Sequence, residues 1–236
     1  MTGTLTVSEV FGPTVQGEGP AAGLRAVFLR LGRCNLDCWW CDSRYTWDWD
    51  SFDPLAELAE LQTSAVLADL VARGCRLVVI TGGEPLLQRR ELLALVRGLT
   101  ARGITVHVET NGTIPPGPNL ASAVSLFVVS PKLPSSRVAP RLAVRELALR
   151  AFAGLLADRG SAVLKFVCTG RADVAAAAEL ADRYGFPRHR CWIMPEGTTA
   201  TAVTEGLRDL APVAIDAGMN LSGRLHVQAW GIERGH

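Results

Sequence analysis

Three cysteines within eight residues raise the first question of chemistry. Cys34, Cys38 and Cys41 stand at C-x3-C-x2-C spacing in CNLDCWWCDS (34–43), around Trp39 and Trp40 and ahead of Asp42-Ser43. A structural zinc site takes four ligands and disulfides use thiols in pairs, so a trio needs a fourth partner. Cys75, Cys168 and Cys191 are scattered singly through apolar runs and read as core residues. A zinc site would have to recruit one lone residue from far along the chain. The alternative is a [4Fe-4S] cluster, whose four irons are normally capped by thiolates. Three protein thiolates leave one iron open, and an open iron can bind a small molecule.

Such a loop has to be held by regular elements. AVFLRLG (26–32) reads as a first strand running straight into the cysteines, and PLAELAELQTSAVLADLVARG (54–74) as one helix closed by Gly74. CRLVVIT (75–81) is a continuous apolar run of strand length, as in parallel strands buried on both faces. GGEPLLQRRELLALVRGLTARG (82–103) follows as turn then helix, and ITVHVETNG (104–112) and SLFVVSPK (125–132) as strands. A helix is expected over 141–160, a strand over 162–170, a helix over 172–185 and a strand over 191–197. A last helix near 201–218 leads into RLHVQAWG (224–231), where His226 is expected on a strand. This alternation predicts βα units around a parallel sheet, an α/β fold with chemistry at the carboxyl ends of its strands. CNLDCWWCD, TGGEP, ETNG, SPK and MPEG all fall at such ends, which predicts one active-site rim. RYTWDWD (44–50) reads as an aromatic patch anchoring the long loop to the core, and MPEG (194–197) takes no assigned role.

The bulk numbers exclude some classes. The 236 residues suit one large domain, spanning 1–236, with 48% hydrophobic and 20% charged residues. Twenty-four Lys plus Arg against 23 Asp plus Glu leave a net charge of +1, too little for bulk binding of nucleic acid. Lys132 and Lys165 are the only lysines. MTGTLTVSEVFG lacks the features of a signal peptide, and no apolar run approaches the roughly 18 residues of a membrane span. A cytoplasmic protein is expected, whose clustered thiols point to metal or redox chemistry.

The cysteine loop after a strand, with TGGEP (81–85) ending the next, resembles the signature of the radical S-adenosylmethionine superfamily. That resemblance implies a [4Fe-4S] cluster on Cys34, Cys38 and Cys41, with S-adenosylmethionine chelating the open iron. FGPTVQGEGPAAGLRAVFLRLGRCNL resembles the start of one family within it, the 7-carboxy-7-deazaguanine synthases. Q-G-E-G, the cysteine loop, TGGEP, ETNG, SPK and the terminal LHVQAWGIERGH occur in that family's order along nearly the whole chain. The implied fold is an incomplete (β/α), TIM-like barrel. The implied reaction is a lyase reaction of 7-deazapurine (queuosine) biosynthesis. It converts 6-carboxy-5,6,7,8-tetrahydropterin to 7-carboxy-7-deazaguanine with ring contraction and loss of ammonia, and S-adenosylmethionine is regenerated.

Residue by residue, the resemblance assigns Val15, Gln16, Gly17, Glu18, Arg30, Thr81 and His226 to the substrate. It assigns Trp40, Asp42, Gly82, Gly83, Glu84, Glu109, Asn111, Ser130 and Lys132 to S-adenosylmethionine. Ser43 stands where the family carries the Thr of Cys-Asp-Thr, whose hydroxyl helps hold Mg2+. Serine keeps that oxygen and loses a methyl. A flavodoxin-like or ferredoxin-like electron donor and a homodimer are implied as well. Two other readings compete with this one: a glycyl-radical-enzyme activase, which shares the cysteine loop and GGEP, and a non-catalytic zinc or RNA-binding module.

Overall fold

The computed structural model describes residues 3–236. In chain order the elements are β1 (Thr4–Val15), β2 (Arg25–Leu31), α1 (Pro54–Glu57), β3 (Ala59–Gln62), α2 (Thr63–Ala72), β4 (Leu77–Gly82) and α3 (Arg89–Thr100). They continue with β5 (Thr105–Thr110), α4 (Pro118–Ala123), β6 (Leu126–Val129), α5 (Pro140–Ala143), α6 (Glu146–Arg159), β7 (Ala162–Cys168) and α7 (Arg171–Tyr184). β8 (Cys191–Pro195), α8 (Ala200–Asp216), β9 (Asn220–Leu221) and α9 (Leu225–Trp230) complete the chain.

All strands join one sheet in the order β3-β1-β2-β4-β5-β6-β7-β8-β9. From β2 to β9 every pairing is parallel, while β1 pairs antiparallel with both β2 and β3. The sheet stays open between β3 and β9, so the fold is the incomplete barrel expected. Apolar strands such as LVVI in β4 are buried on both faces because helices cover the outer one. The main core lies under those helices and includes Leu29, Ile80, Val108, Phe127 and Phe166. A smaller cluster on the opposite face of the sheet contains Phe11, Ala26, Phe28 and Val79, with Phe11 and Phe28 stacked at 4.8 Å.

Several expectations need correction. The strand read as first is second: β1 precedes it and borders it antiparallel. The single helix expected over 54–74 is divided into α1, β3 and α2. Asp53 caps α1 by accepting from Leu55 N–H at 2.9 Å, Leu58 turns extended, and the following residues pair with β1, Val7 opposite Ala59 and Thr4 opposite Gln62. Tertiary pairing thus overrides a good local helix pattern. The helix expected over 141–160 is likewise broken at Val144 and Arg145, both extended. His226 lies on α9, not on a strand; the sheet ends at the two-residue β9, and Leu225 N–H is instead bonded to Gly17 O at 2.9 Å. Among the described residues no helix is long and apolar enough to cross a membrane.

Candidate active site

The carboxyl ends of the parallel strands open into a cavity of about 580 Å³, a size suited to a small organic ligand. Of the residues assigned above to the cluster, S-adenosylmethionine, the substrate or Mg2+, all line it except Glu84. Glu84 is fully buried behind the glycine turn. It accepts from Leu86 N–H (2.9 Å), Thr110 Oγ1 (2.8 Å) and Asn111 N–H (2.7 Å). Burial pushes its carboxyl above the usual range, the three donors only partly opposing this. Its place is to lock the end of β4 to the end of β5.

The glycines beside it let backbones meet. Gly82 has φ +142, and a Cβ there would run into the Leu31 carbonyl. A Cβ on Gly83 would overlap the Arg33 carbonyl and touch Cys34. Gly83 N–H donates to Leu31 O (3.0 Å) and Glu84 N–H to Arg33 O (2.8 Å), so TGGEP seats the chain leading into the cysteines.

The three thiols are free and line this cavity, Cys38 buried and Cys34 and Cys41 half-buried. Cys75, Cys168 and Cys191 are also free, but all are buried away from it. Among the described residues no three His, Cys, Asp or Glu side chains converge on one point. The thiols of a cubane attach to different irons and need not converge, whereas zinc ligands must. Burial raises the Cys34 thiol to about 12 and pushes Cys38 up as well. Iron would therefore have to displace protons that the protein alone leaves in place. Leu36, Cys38, Val138 and Ala143 form a small apolar cluster packed against Cys34, Trp40 and Cys41, so the loop is half walled off from water. Asn111 braces its start, donating from Nδ2 to Asn35 Oδ1 at 3.0 Å. Lys132 Nζ donates to Ser130 Oγ (3.1 Å) and sits 5.1 Å over the Trp40 ring.

Across the cavity the Q-G-E-G segment meets the sheet. Gln16 Nε2 donates to Glu109 Oε1 (3.1 Å) and Thr81 Oγ1 to Glu109 Oε2 (3.1 Å). Lys165 Nζ, on β7, bridges Glu18 (2.5 Å) and Glu109 (3.3 Å) with its side chain only 6% exposed. Arg224 donates from Nε to Glu18 Oε1 (2.9 Å), from Nη1 to Gly197 O (2.7 Å) and from Nη2 to Asp42. Burial alone would raise the Glu18 carboxyl, but Lys165 and Arg224 together hold it well below its usual value. His226 Nε2 stands 3.8 Å from Glu18 Oε1. Gly17 packs so closely on the His226 ring that a Cβ would not fit. Burial lowers the imidazole below its ordinary 6.5. Arg30 Nε donates to Glu9 Oε1 (2.6 Å), which also accepts from Tyr45 Oη (2.8 Å). Val15 contributes apolar wall.

Ser43 begins a short 3-10 turn without capping it through its side chain. Its hydroxyl lies 3.8 Å from Cys41 Sγ, on the cavity wall.

Sequence reasoning missed Lys165 and Arg224. A lysine inside the apolar strand AVLKFVC was the available signal for the first; Arg224, in the turn before α9, offered none. Met194 and Glu196 of MPEG also line the cavity, as does the terminal Gly231–His236, with the Arg234 guanidinium 3.6 Å over the Tyr45 ring.

This arrangement of an open parallel sheet, a glycine turn and three free thiols in one cavity has known counterparts. Residues 29–125 match the radical SAM superfamily, and the chain is an enzyme of that class, whose cofactors are a [4Fe-4S] cluster and S-adenosylmethionine. The thiol trio fits that cluster. The chain is 37% identical over 231 residues to a 7-carboxy-7-deazaguanine synthase of Pyrobaculum aerophilum, covering 97% of this chain and 96% of that one. It is 35% identical to the enzyme of the same name from Hyperthermus butylicus, covering 94% and 92%. The crystal structure of QueE from Escherichia coli superposes with a TM-score of 0.69 at 27% identity over 93% of each chain. The chain belongs to the 7-carboxy-7-deazaguanine synthase family.

Proposed function

We propose that this cavity converts 6-carboxy-5,6,7,8-tetrahydropterin to 7-carboxy-7-deazaguanine, with residues 1–236 acting as one domain. The observation that carries this is the pairing, in one cavity, of three free thiols with a hydrogen-bonded ring of Gln16, Glu18, Glu109 and Lys165. A dense, charge-compensated set of acceptors and donors is what the hydrogen-bonding edge of a pterin requires. Cys34, Cys38 and Cys41 would hold the cluster, which together with S-adenosylmethionine would supply radical chemistry for taking hydrogen from C6 of the substrate.

The protein's work is placement. Lys165 and Arg224 keep Glu18 ionised, so its oxygens can accept from pterin N–H groups. Glu109, steadied by Thr81 and Gln16, offers the second acceptor. Arg30 spends only Nε on Glu9, and its two Nη groups have no hydrogen-bond partner among the described residues. They form the fork for the substrate carboxylate. His226, whose imidazole burial pushes below its ordinary 6.5, adds a ring with Nε2 3.8 Å from Glu18 to this edge. The uncapped Ser43 hydroxyl serves Mg2+, which takes few protein ligands and keeps several waters. Trp40, Asp42, Gly82, Gly83, Asn111, Ser130 and Lys132 line the part reserved for S-adenosylmethionine, and Glu84 holds that part in shape. An external low-potential electron carrier completes the system.

The test is an anaerobic incubation of iron-reconstituted protein with the tetrahydropterin, S-adenosylmethionine, Mg2+ and dithionite, read by mass spectrometry. 7-Carboxy-7-deazaguanine is expected. 5′-Deoxyadenosine without that product would mean that the radical chemistry is right and the substrate wrong.

A further inference from the structure

Trp47 has no part in the reading above, yet its indole touches one of the three thiols. Nε1–H donates to Cys41 Sγ at 3.3 Å. The other side-chain donors near these sulfurs are more distant among the described residues: Ser43 Oγ at 3.8 Å from Cys41 and Asn111 Nδ2 at 4.0 Å from Cys34.

The indole is held in place by its own neighbourhood. Trp47 N–H closes the 3-10 turn Arg44–Thr46 by donating to Arg44 O at 2.9 Å. The Arg44 guanidinium lies 5.9 Å over the ring and is itself tied to Asp48 at 2.6 Å. Thr46 O accepts from Arg33 N–H at 2.6 Å, which fastens the turn to the end of β2. Thr46 Oγ1 donates back to Ser43 O at 2.8 Å. The indole N–H is therefore aimed at sulfur before any cluster arrives.

We propose that Trp47 is a positioning residue that sets the reduction potential of the cluster through Cys41. This rests on Cys41 being a cluster ligand, as proposed above. A thiolate sulfur bears more negative charge after the one-electron reduction of the bound cluster from 2+ to 1+ by an external low-potential donor. A hydrogen bond to that sulfur is stronger in the reduced state, so it favours reduction and raises the potential. Removing the N–H lowers it.

The experiment is an EPR-monitored redox titration of the reconstituted holoenzyme without S-adenosylmethionine. Wild type is compared with Trp47→Phe and with a protein whose Trp47 indole is replaced by benzothienyl. The benzothienyl ring keeps the bicyclic shape and puts sulfur where the N–H was. Should Trp47→Phe fail to hold iron, the benzothienyl protein decides. Full iron content and a reduction equilibrium weakened roughly three- to tenfold are expected, a fall of about 30–60 mV for one electron. Full iron with an unchanged midpoint potential overturns this proposal alone. A wild-type protein that takes up no iron overturns the ligand assignment and this proposal with it.

Discussion

Cys38→Ala is expected to form no detectable product and to hold no stable iron–sulfur cluster, while remaining folded. Cys38 is 7% exposed and packed against Leu36, Val138 and Ala143, so the residues around it offer no side-chain ligand in its place. Nor is there a spare thiol, because Cys75, Cys168 and Cys191 are buried away from the cavity. Two thiolates cannot cap three irons. A cluster-dependent rate should fall by on the order of 10³-fold or more. The cost to the fold is small, about 1 kcal/mol, because one sulfur is lost from a minor apolar cluster. Iron and acid-labile sulfide per chain, with a thermal melt, separate the two effects. A variant that kept full iron and turnover would remove Cys38 from the ligand set.

Lys165→Met carries the second large effect, and here stability and function fall together. The ammonium is the buried counterion of both Glu18 and Glu109. Deleting it leaves two carboxylates facing each other with only Arg224 to compensate. Breaking a buried pair from one side typically costs about 3–5 kcal/mol. Product formation should be lost, since the acceptor edge of the cavity is no longer preorganised.

The pH dependence gives the sign. In the native protein the Glu18 carboxyl lies well below its ordinary 4.5, because Lys165 and Arg224 outweigh the effect of burial. Its contribution to stability is present above pH 4.5 and is lost as the pH falls below that value. In Lys165→Met the opposing ammonium is gone and burial pushes the carboxyl up. The melting temperature of the variant should therefore recover relative to wild type as the pH is lowered from 8 to 5. Adding Glu18→Gln should restore part of the stability without restoring activity. A melting temperature unchanged from wild type at pH 7 would mean that Lys165 is not the structural counterion described.

The parts of the site that could be read from the chain are those written in contiguous motifs. The cysteine spacing, the double glycine, ETNG and SPK each occupy a strand end, and a parallel sheet brings strand ends together. Lys165 escaped because its partners, Glu18 and Glu109, are far off in sequence and only the curl of the sheet joins β7 to Q-G-E-G. Arg224 escaped for the same reason, its role depending on Glu18, Gly197 and Asp42 at once. β1 was not recognised because its burial does not alternate cleanly, with Leu5, Thr6 and Val7 all buried in succession between two neighbouring strands. The division of 54–74 was hidden for the opposite reason. PLAELAELQ has fair helical character, and the competing pairing lies on the distant Thr4–Val7. Trp47 looked like an anchor, and it is one; what the sequence could not show is that the anchored ring points its N–H at Cys41.

The most direct test of the central claim, that this cavity holds C6 of the pterin against the cofactor radical, is a label transfer. The substrate would carry deuterium at C6 and be turned over anaerobically by the reconstituted enzyme, with S-adenosylmethionine recovered and weighed by mass spectrometry. Deuterium appearing in the 5′ position of recovered S-adenosylmethionine, alongside 7-carboxy-7-deazaguanine, is the predicted result. Product formed with no deuterium in the cofactor would contradict it, because hydrogen would then be leaving the substrate by another route.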